Sequence, residues 1–235
     1  MTADVIVLFD VDNTLLDNDH FIRDLRDRLQ HEFGAASAQD YWTIFDAMRD
    51  ELGYVDYLGA LQRFRLDIAA GRIDEQRLLL ISTFILNYPF ADRLYPRALE
   101  VIKHLDGFAQ TVILSDGDVV LQPHKLQRSG LLDAVDGRAL IYVHKEQMLD
   151  AIQHHYPARH YVMVDDQLRV LAAMKAIWQE RLTTIFPRQG HYALDPVVTA
   201  TQPPADFTIE HIGELADLDL LSLIKQSADT NKEIL

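Results

Sequence analysis

The sequence has 235 residues, of which 22 are Lys or Arg and 36 are Asp or Glu, so its formal net charge is −14 at pH 7. With 49% hydrophobic and 25% charged residues, the composition is typical of a globular protein with a buried core. Phosphate backbones and anionic membranes are bound through excess Lys and Arg. The charge therefore argues against nucleic acid polymers and membranes as partners.

The sequence contains no cysteine, which excludes disulfides, thiolate zinc sites and a cysteine nucleophile. This absence is compatible with a reducing compartment. Residues 1–10 have no basic segment and no small-residue cleavage site, so we expect no signal peptide. The longest uncharged stretch, about 14 residues from Leu78 to Ala91, is shorter than the roughly 20 residues of a membrane helix. We therefore predict a cytoplasmic protein.

The elements alternate along most of the chain but not after the first strand. An apolar run, Val5–Phe9, predicts a central parallel strand that is covered on both faces. Residues 18–92 then show only helical patterning, while beyond residue 97 strands and helices alternate. We expect residues 188–205, with three prolines, to form a long loop. The predicted helices are 18–33, 38–51, 54–70, 74–88, 97–106, 119–129, 145–155, 167–179 and 211–224, and the later strands are 111–114, 139–143, 161–164, 183–186 and 207–209.

This order predicts an α/β fold, a doubly wound Rossmann-like parallel sheet core with an inserted α-helical cap domain. We expect residues 1–17 and 93–235 to form the core and residues 18–92 to form the cap. In such folds ligands bind at the carboxyl ends of the strands. Asp10, Ser115, Asp165 and Asp166 each follow a predicted strand, so we expect them to meet at that edge.

The segment Asp10-Val11-Asp12-Asn13-Thr14 directly follows the first strand. Two carboxylates two residues apart can do different work, because one attacks or binds a metal while the other exchanges a proton with the substrate. A solvated turn with a helix cap is the alternative interpretation. The segment alone leaves both open.

Four segments, in order, resemble the four motifs of the haloacid dehalogenase-like hydrolase superfamily. Phe9–Leu16 resembles the first motif, Ile113–Gly117 the second, Lys145 the third and Val162–Asp166 the fourth. The resemblance covers residues 5 to about 187, and the ordered set is far more specific than any one member. Asn13 stands where Gly is common in this superfamily, but Asn also tolerates unusual backbone angles.

The resemblance implies a hydrolase in which Asp10 is the nucleophile that forms an aspartyl phosphate. Asp12 would protonate the leaving oxygen and then activate water. The implied cofactor is Mg²⁺, held by Asp10, the main-chain carbonyl of Asp12, and Asp166, with Asp165 as a direct or water-mediated ligand. The motif leaves Val170 where a further Asp often stands, so the site depends on the Asp165-Asp166 pair.

The same resemblance assigns phosphoryl binding to Thr14, Ser115, Gly117 and Lys145. By themselves, Ser115 would be interpreted as a turn residue and Lys145 as a surface lysine. They gain a function only from their places in the ordered set. We interpret Asp118 as the N-cap of the following helix.

The spacing of the motifs locates the insert. About 105 residues separate Asp10 from Ser115, whereas about 30 separate Ser115 from Lys145. The resemblance therefore implies a helical cap after the first motif, which closes over small substrates and excludes water. Residues that could contact a substrate are Asp17, Asn18, His20, Phe21, Tyr54 and Tyr57 in and beside the cap, and Arg188, Gln189, Gly190 and His191 after the last catalytic-side strand. Most aromatic residues of the cap are instead expected to pack the helical core.

The prediction is a Mg²⁺-dependent phosphomonoesterase that acts on a small phosphorylated metabolite. Three alternatives stay open. A phosphomutase would return the phosphoryl group to the substrate. A dehalogenase would need no metal, and Asp12 with Thr14 disfavours it. A non-catalytic binding protein would be expected to lose Asp10, Asp12 or Asp166, which are all present.

Overall fold

A computed structural model describes residues 3–67 and 74–225 of the chain. Within these residues, six parallel strands form one sheet in the order β3-β2-β1-β4-β5-β6. The first strand in the chain is central, and the crossovers run outward from it in both directions. This confirms the predicted doubly wound α/β fold. The strands are β1 (Ala3–Phe9), β2 (Gln110–Asp116), β3 (Ala139–Tyr142), β4 (Ala158–Val164), β5 (Leu182–Pro187) and β6 (Phe207–Ile209).

Helices cover the sheet and form the insert between β1 and β2. None of the described helices combines the length and the apolar character that a membrane crossing requires. The α-helices of the described chain are α1 (Asn18–Leu52), α2 (Tyr57–Asp67), α3 (Glu75–Leu86), α4 (Ala98–Asp106), α5 (Leu121–Ser129), α6 (Leu131–Ala134), α7 (Leu149–His155), α8 (Leu168–Trp178), α9 (Gly190–Leu194) and α10 (Pro196–Ala200). Short 3-10 turns are formed by Phe90–Arg93, Lys145–Gln147, Gln179–Arg181 and Ile212–Ala216, and residues 220–225 are helical.

The core lies on both faces of the sheet. Ile6 and Leu8 of β1 belong to one hydrophobic cluster, whereas Val7 and Phe9 belong to the other, and all four are fully buried. Alternate residues of a strand point to opposite faces, so a continuous apolar run suits a strand that is covered twice. This pattern is why Val5–Phe9 could be recognised as a central strand.

The register of the strands aligns their carboxyl ends. Phe9 lies beside Ile113 of β2 on one side and beside Val164 of β4 on the other. The main-chain N–H of Asp10 continues this ladder and donates to the carbonyl of Val164 over 3.0 Å. The residues that follow β1 and β4 therefore leave the sheet side by side.

The helical insert has its own aromatic core. Tyr41, Phe45 and Tyr57 form ring contacts with neighbouring aromatic residues of α1 and α2. The two predicted helices of 18–33 and 38–51 correspond to the two parts of α1, which meet at a kink at Gly34, whose φ is 81° and ψ is 165°. A glycine adopts this conformation without the steric cost that a side chain would bring.

The chain enters and leaves the insert side by side. The N–H of Asp17 donates to the carbonyl of Arg93 over 2.8 Å, and the N–H of Tyr95 donates to the carbonyl of Leu15 over 2.9 Å. The two bonds flank an antiparallel bridge between Leu16 and Leu94. We propose that they mark the boundaries of a cap domain over residues 18–92.

Two expectations about the C-terminal third are wrong. Residues 188–205 are not a structureless loop, because they contain α9 and α10. Residues 211–224 are not one helix, since a 3-10 turn at Ile212–Ala216 precedes a separate helical segment from residue 220. Helices of five residues span little more than one turn and cannot display a 3.6-residue repeat. Residues 68–70 of the predicted helix 54–70 lie outside the described chain.

Candidate active site

Three buried carboxylates meet at the carboxyl edge of the sheet. Asp10 follows β1, while Asp165 and Asp166 follow β4. One oxygen from each lies within 4.8 Å of the others. Main-chain bonds fix their positions, because the N–H of Asp165 donates to the carbonyl of Ile185 over 3.2 Å and the N–H of Asp166 donates to Thr14 Oγ1 over 3.0 Å. Asp10, Ser115, Asp165 and Asp166 are expected to meet at this edge, and Ser115 lies there too, near the end of β2.

Lys145 supplies positive charge to this cluster. Its Nζ lies 2.5 Å from Asp10 Oδ1 and 2.8 Å from Asp165 Oδ2. Its main-chain N–H donates to Asp116 Oδ1 over 2.7 Å, which ties the segment after β3 to the end of β2. The side chain is buried. Lysine is almost never fully buried unless it is paired with an acid, and here Asp10 and Asp165 provide that pairing. Lys145 is thus an internal counter-ion of the cluster, not a surface lysine.

The surplus of buried acids changes the proton affinity of the groups. Burial raises the pKa of Asp10 to about 7, although Lys145 opposes this shift. Burial, reinforced by the charges of Asp165 and Asp10, raises the pKa of Asp166 well above its usual range. Burial lowers the pKa of Lys145, but the facing carboxylates outweigh it and raise that pKa overall. Three acids and one lysine leave the cluster short of positive charge.

The donor set fits a divalent cation. Both carboxylate oxygens of Asp166 are buried and accept no hydrogen bond from any described residue. A buried carboxylate without a donor is costly. A hard cation such as Mg²⁺ prefers oxygen ligands of this kind and carries the charge that the cluster lacks. Asp10, Asp165 and Asp166 could therefore hold a metal ion.

Asp12 lies beside the cluster but faces a different partner. Lys125 of α5 places its Nζ 2.6 Å from Asp12 Oδ1 and 2.8 Å from Asp12 Oδ2. The side chain of Asp12 keeps 31% of its surface exposed and lines the cavity described below. Asp12 is thus held in place while one side stays open to a substrate.

Ser115 and Gly117 also line the cavity. Ser115 Oγ accepts a hydrogen bond from Gln122 Nε2 over 2.8 Å. The N–H of Gly117 donates to the carbonyl of Tyr142 over 3.1 Å, so in this structure it is not directed at a ligand. The expected helix after Asp118 begins at Leu121, with Val120 at its N-cap position. Asp118 Oδ1 still accepts from the N–H of Leu121 over 2.7 Å, so it bonds to the first residue of the helix.

Thr14 is placed differently from the expectation that it touches a phosphoryl group. It is fully buried and is not among the residues that line the cavity. Its hydroxyl accepts the N–H of Asp166, so it holds the loop after β4 against the loop after β1. Its position suits a support for Asp166, not a substrate contact.

A cavity of about 610 Å³ is lined at its base by Asp10 and Asp12, whereas Asp165 and Asp166 do not line it. On the side of the insert, α1 contributes Arg23, Arg26 and Arg49, and Arg26 lies over the ring of Trp42 at 4.4 Å from its centroid. Of the contact candidates named from the sequence, Asn18, Tyr54, Tyr57 and His191 line this cavity. The other six, Asp17, His20, Phe21, Arg188, Gln189 and Gly190, do not. Phe21 instead packs in the core.

Two polar residues of the site were not found from the sequence. Lys125 and Gln122 contact Asp12 and Ser115 from α5, and both are buried. No motif marks them. The signal that could have found them is helical spacing, because they share the buried face of α5 with Leu121 and Leu126.

The chain is similar to known proteins in both sequence and structure. The sequence profile of the haloacid dehalogenase-like hydrolases matches residues 6–177. A solved structure described as a haloacid dehalogenase-like hydrolase, from Burkholderia xenovorans, shares 59% identity with a TM-score of 0.86, over 92% of this chain and 99% of that chain. No curated protein matches.

Two more distant structures share the fold alone. The L-2-haloacid dehalogenase from Xanthobacter autotrophicus has 18% identity and a TM-score of 0.58, over 93% of this chain and 98% of that chain. A HAD-hydrolase from Bacillus subtilis, bound to magnesium, has 16% identity and a TM-score of 0.58, over 92% of this chain and 98% of that chain. The profile match and the relative at 59% identity show that the chain belongs to the haloacid dehalogenase-like hydrolase family.

Proposed function

We propose that this hydrolase is a Mg²⁺-dependent phosphomonoesterase that acts on a small phosphorylated metabolite through an aspartyl phosphate. One observation carries the proposal. Three buried carboxylates converge, and both oxygens of Asp166 accept no hydrogen bond from the described residues. Displacement of a halide needs no metal, so such a costly arrangement favours phosphoryl transfer over dehalogenation.

The residues that would hold Mg²⁺ are Asp10, Asp165 and Asp166, together with the main-chain carbonyl of Asp12. When bound, the ion supplies positive charge that offsets the repulsion between a carboxylate nucleophile and a phosphate dianion. The cluster and a bound phosphate would otherwise place several negative charges together.

The proposed first step is the attack of Asp10 on phosphorus. An Asp10–phosphorus bond forms while the bond from phosphorus to the leaving oxygen breaks, and Asp12 gives its proton to that oxygen. In the second step water attacks phosphorus and the acyl phosphate bond to Asp10 breaks. Asp12 takes the proton of the water, so both residues return to their initial states with inorganic phosphate released.

Ser115 and Lys145 are proposed to bind the phosphoryl oxygens. Ser115 Oγ lines the cavity, and the ammonium of Lys145 lies against Asp10. A positive charge next to the nucleophile also stabilises the negative charge that spreads over the phosphoryl oxygens during transfer. Lys145 thus acts on both reactants.

The expected substrate is small. A cavity of about 610 Å³ lies in the range of pockets that enclose small molecules. Arg23, Arg26 and Arg49 of α1 line it, and Arg49 pairs with Asp46 over 3.1 Å. The net charge of −14 opposes the approach of nucleic acid polymers. The absence of cysteine fits a reducing compartment, and the proposal includes a cytoplasmic location.

The experiment is hydrolysis of p-nitrophenyl phosphate by the wild type and Asp10→Asn, with Mg²⁺ and after chelation. We expect activity only in the wild type with Mg²⁺, and unchanged activity in the control Asp133→Asn, whose carboxylate is exposed and distant from the site. Full activity in Asp10→Asn, or equal activity after chelation, contradicts the proposal. Metal-independent halide release from a short 2-chloro acid would instead favour a dehalogenase.

A further inference from the structure

Helix α5 approaches the proposed catalytic residues from the core side. It begins four residues after Gly117 and runs behind the loop that follows β1. Lys125, in its second turn, keeps only 1% of its side-chain surface exposed and does not line the cavity. A substrate therefore has no contact with Lys125, and any effect of this residue on the reaction passes through another side chain.

The ammonium of Lys125 has three acceptors. Two are the carboxylate oxygens of Asp12, at 2.6 Å and 2.8 Å, and the third is Asn18 Oδ1 at 3.1 Å. An ammonium has three hydrogen atoms to donate, so these contacts use its full capacity. The ring of Phe90 closes another side, with its centroid 5.7 Å from Nζ. Such an arrangement allows little rotation of Lys125.

Asp12 needs such a partner because of its surroundings. It lies two residues from Asp10, which forms the acidic cluster together with Asp165 and Asp166. Its side chain is partly exposed and would be repelled by that cluster. Because the buried ammonium contacts both carboxylate oxygens, it fixes the position of the Asp12 carboxyl group and the rotation of its plane.

We propose that Lys125 is a positioning residue that holds the Asp12 carboxylate in the orientation needed to exchange protons with the leaving oxygen and with water. The inference rests on the proposed function, since it assumes that Asp12 is the acid and base of phosphoryl transfer. Gln122, one helical turn earlier, donates to Ser115 Oγ over 2.8 Å. One face of α5 thus supports two side chains of the site.

The competing explanation is purely structural. Lys125 also joins α5 to Asn18, the first residue of α1, and so links the core to the helical insert. A structural role predicts equal losses with every substrate. A positioning role predicts losses that grow with the basicity of the leaving group, because a poor leaving group depends more strongly on a proton from Asp12.

The test compares phenyl phosphate with p-nitrophenyl phosphate, two substrates of similar shape whose leaving groups differ in basicity. The value of kcat/KM reports the steps up to departure of the leaving group. We expect Lys125→Met to lower kcat/KM for phenyl phosphate by on the order of 10-fold more than for p-nitrophenyl phosphate. Lys125→Gln, which keeps a donor and is easier to accommodate, should show the same trend with a smaller loss.

A double-mutant cycle makes the test specific. In an Asp12→Asn background, we expect Lys125→Met to produce no further change in the ratio of the two kcat/KM values, because the proton donor is already absent. The control is Lys175→Met on α8, which removes a partly buried lysine outside the site. Lys175 Nζ donates to Asp206 Oδ2 over 2.8 Å. This control should leave the ratio unchanged.

The outcomes separate two failures. If the wild type does not hydrolyse either phosphate ester with Mg²⁺, the proposed function fails. If the wild type is active and Lys125→Met lowers both kcat/KM values equally, or changes their ratio as strongly in the Asp12→Asn background as in the wild type, the positioning role is overturned. Failure of both Lys125 variants to fold under conditions in which Lys175→Met folds also overturns it in favour of the structural role.

Discussion

At the residue scale, Asp166 is a buried carboxylate that lowers the free energy of unfolding when no metal is bound. Its oxygens accept no hydrogen bond from the described residues, and burial raises its pKa well above the usual range. The neighbouring acids Asp165 and Asp10 strengthen this effect. Nothing in the packing of the sheet requires a carboxylate here. We infer that the residue is retained for binding, at a cost in the free energy of unfolding.

Asp166→Asn tests this interpretation. The amide can donate hydrogen bonds to the adjacent carboxylates, so we expect the free energy of unfolding without metal to rise by roughly 1–3 kcal/mol. In the wild type, Mg²⁺ should raise the unfolding temperature, because a ligand that binds only the folded state stabilises it. In Asp166→Asn that increase should vanish. Differential scanning fluorimetry with EDTA and with Mg²⁺ measures both effects.

The matched control is Asp133→Asn, which neutralises an exposed acid. It should leave the Mg²⁺-dependent increase unchanged. An Asp166→Asn protein that is still stabilised by Mg²⁺ as strongly as the wild type would contradict the assignment of Asp166 to the metal.

The motif residues were predictable from the sequence because strand ends and motif order mark them. Asp10 and Asp165 follow apolar runs, so their meeting at one edge follows from a parallel sheet alone. Lys125 and Gln122 carry no such mark, since a lysine and a glutamine on a helix are ordinarily solvent-exposed. Their roles depend on which face of α5 is buried, and this is set by packing against the loop after β1.

At the element scale, the segment after β5 contacts the loop after β1. Asn13 and Asp19 bond to each other through Asn13 Nδ2 and Asp19 Oδ1 over 3.0 Å. His191, in α9, donates its N–H to Asp19 Oδ2 over 2.8 Å. Asn13 has the left-handed φ of 64°, in keeping with the expectation that it replaces glycine in this loop. The start of α9 therefore braces the loop that carries Asp10 and Asp12.

Gly190→Ala tests this contact. Gly190 has φ of +71°, and a Cβ there would overlap the side chain of Asn13. Gly130 provides the matched control, because its φ is +80° but a Cβ would meet nothing within 4 Å. Gly130→Ala should cost about 1–2 kcal/mol of stability from backbone strain alone. Gly190→Ala should cost a further ~1–3 kcal/mol and lower kcat, because Asn13 must move.

Urea unfolding and steady-state kinetics on both variants measure this difference. Equal stabilities and equal activities of the two variants would mean that α9 does not brace the loop after β1. The prediction of a loop over residues 188–205 missed this element, because α9 and α10 each extend over only five residues. Tertiary contacts, such as that of His191 with Asp19, are needed to recognise it.

At the scale of the whole molecule, the sequence predicted the architecture because the pattern of the sheet is global. Alternating strands and helices require right-handed crossovers, and these leave few possible strand orders. The long interval between Asp10 and Ser115 located the helical insert. The ends of the helices in the last third of the chain, such as the break within residues 211–224, depend on local contacts. Hydrophobic periodicity does not encode these contacts.

The pH dependence of stability is also a property of the whole molecule, and His160 gives one testable contribution. Burial lowers its pKa to about 4, and the positive charges of Lys175 and Arg181 act in the same direction, against Asp206. In the unfolded chain a histidine binds its proton near pH 6.5. As pH falls from about 6.5 to about 4, the unfolded state therefore binds more protons and the folded state loses stability.

His160→Gln should reduce this loss. Urea unfolding at about pH 7.5 and about pH 4.5 should show a smaller decrease in the free energy of unfolding for His160→Gln than for the wild type. His154→Gln, which replaces an exposed histidine, is the control and should behave as the wild type does. The same decrease in all three proteins would show that His160 does not contribute.

The net charge of −14 argues against polyanionic partners such as nucleic acids. Within the site, however, Asp10, Asp165 and Asp166 lie close enough together to bind a cation. A bound Mg²⁺ would make this edge locally attractive to a phosphate while the outer surface still repels polyanions. The central claim is thus that Asp10 accepts a phosphoryl group when Mg²⁺ is present.

The most direct test is mass spectrometry of the protein after rapid acid quench with p-nitrophenyl phosphate. We predict that Asp12→Asn accumulates one phosphoryl group on the peptide that contains Asp10, because its second step lacks a base. This addition should require Mg²⁺ and should be absent in the double variant Asp10→Asn and Asp12→Asn. Phosphate turnover by the wild type with the phosphoryl group on another residue, or with no phosphoryl group trapped in Asp12→Asn, would contradict the account.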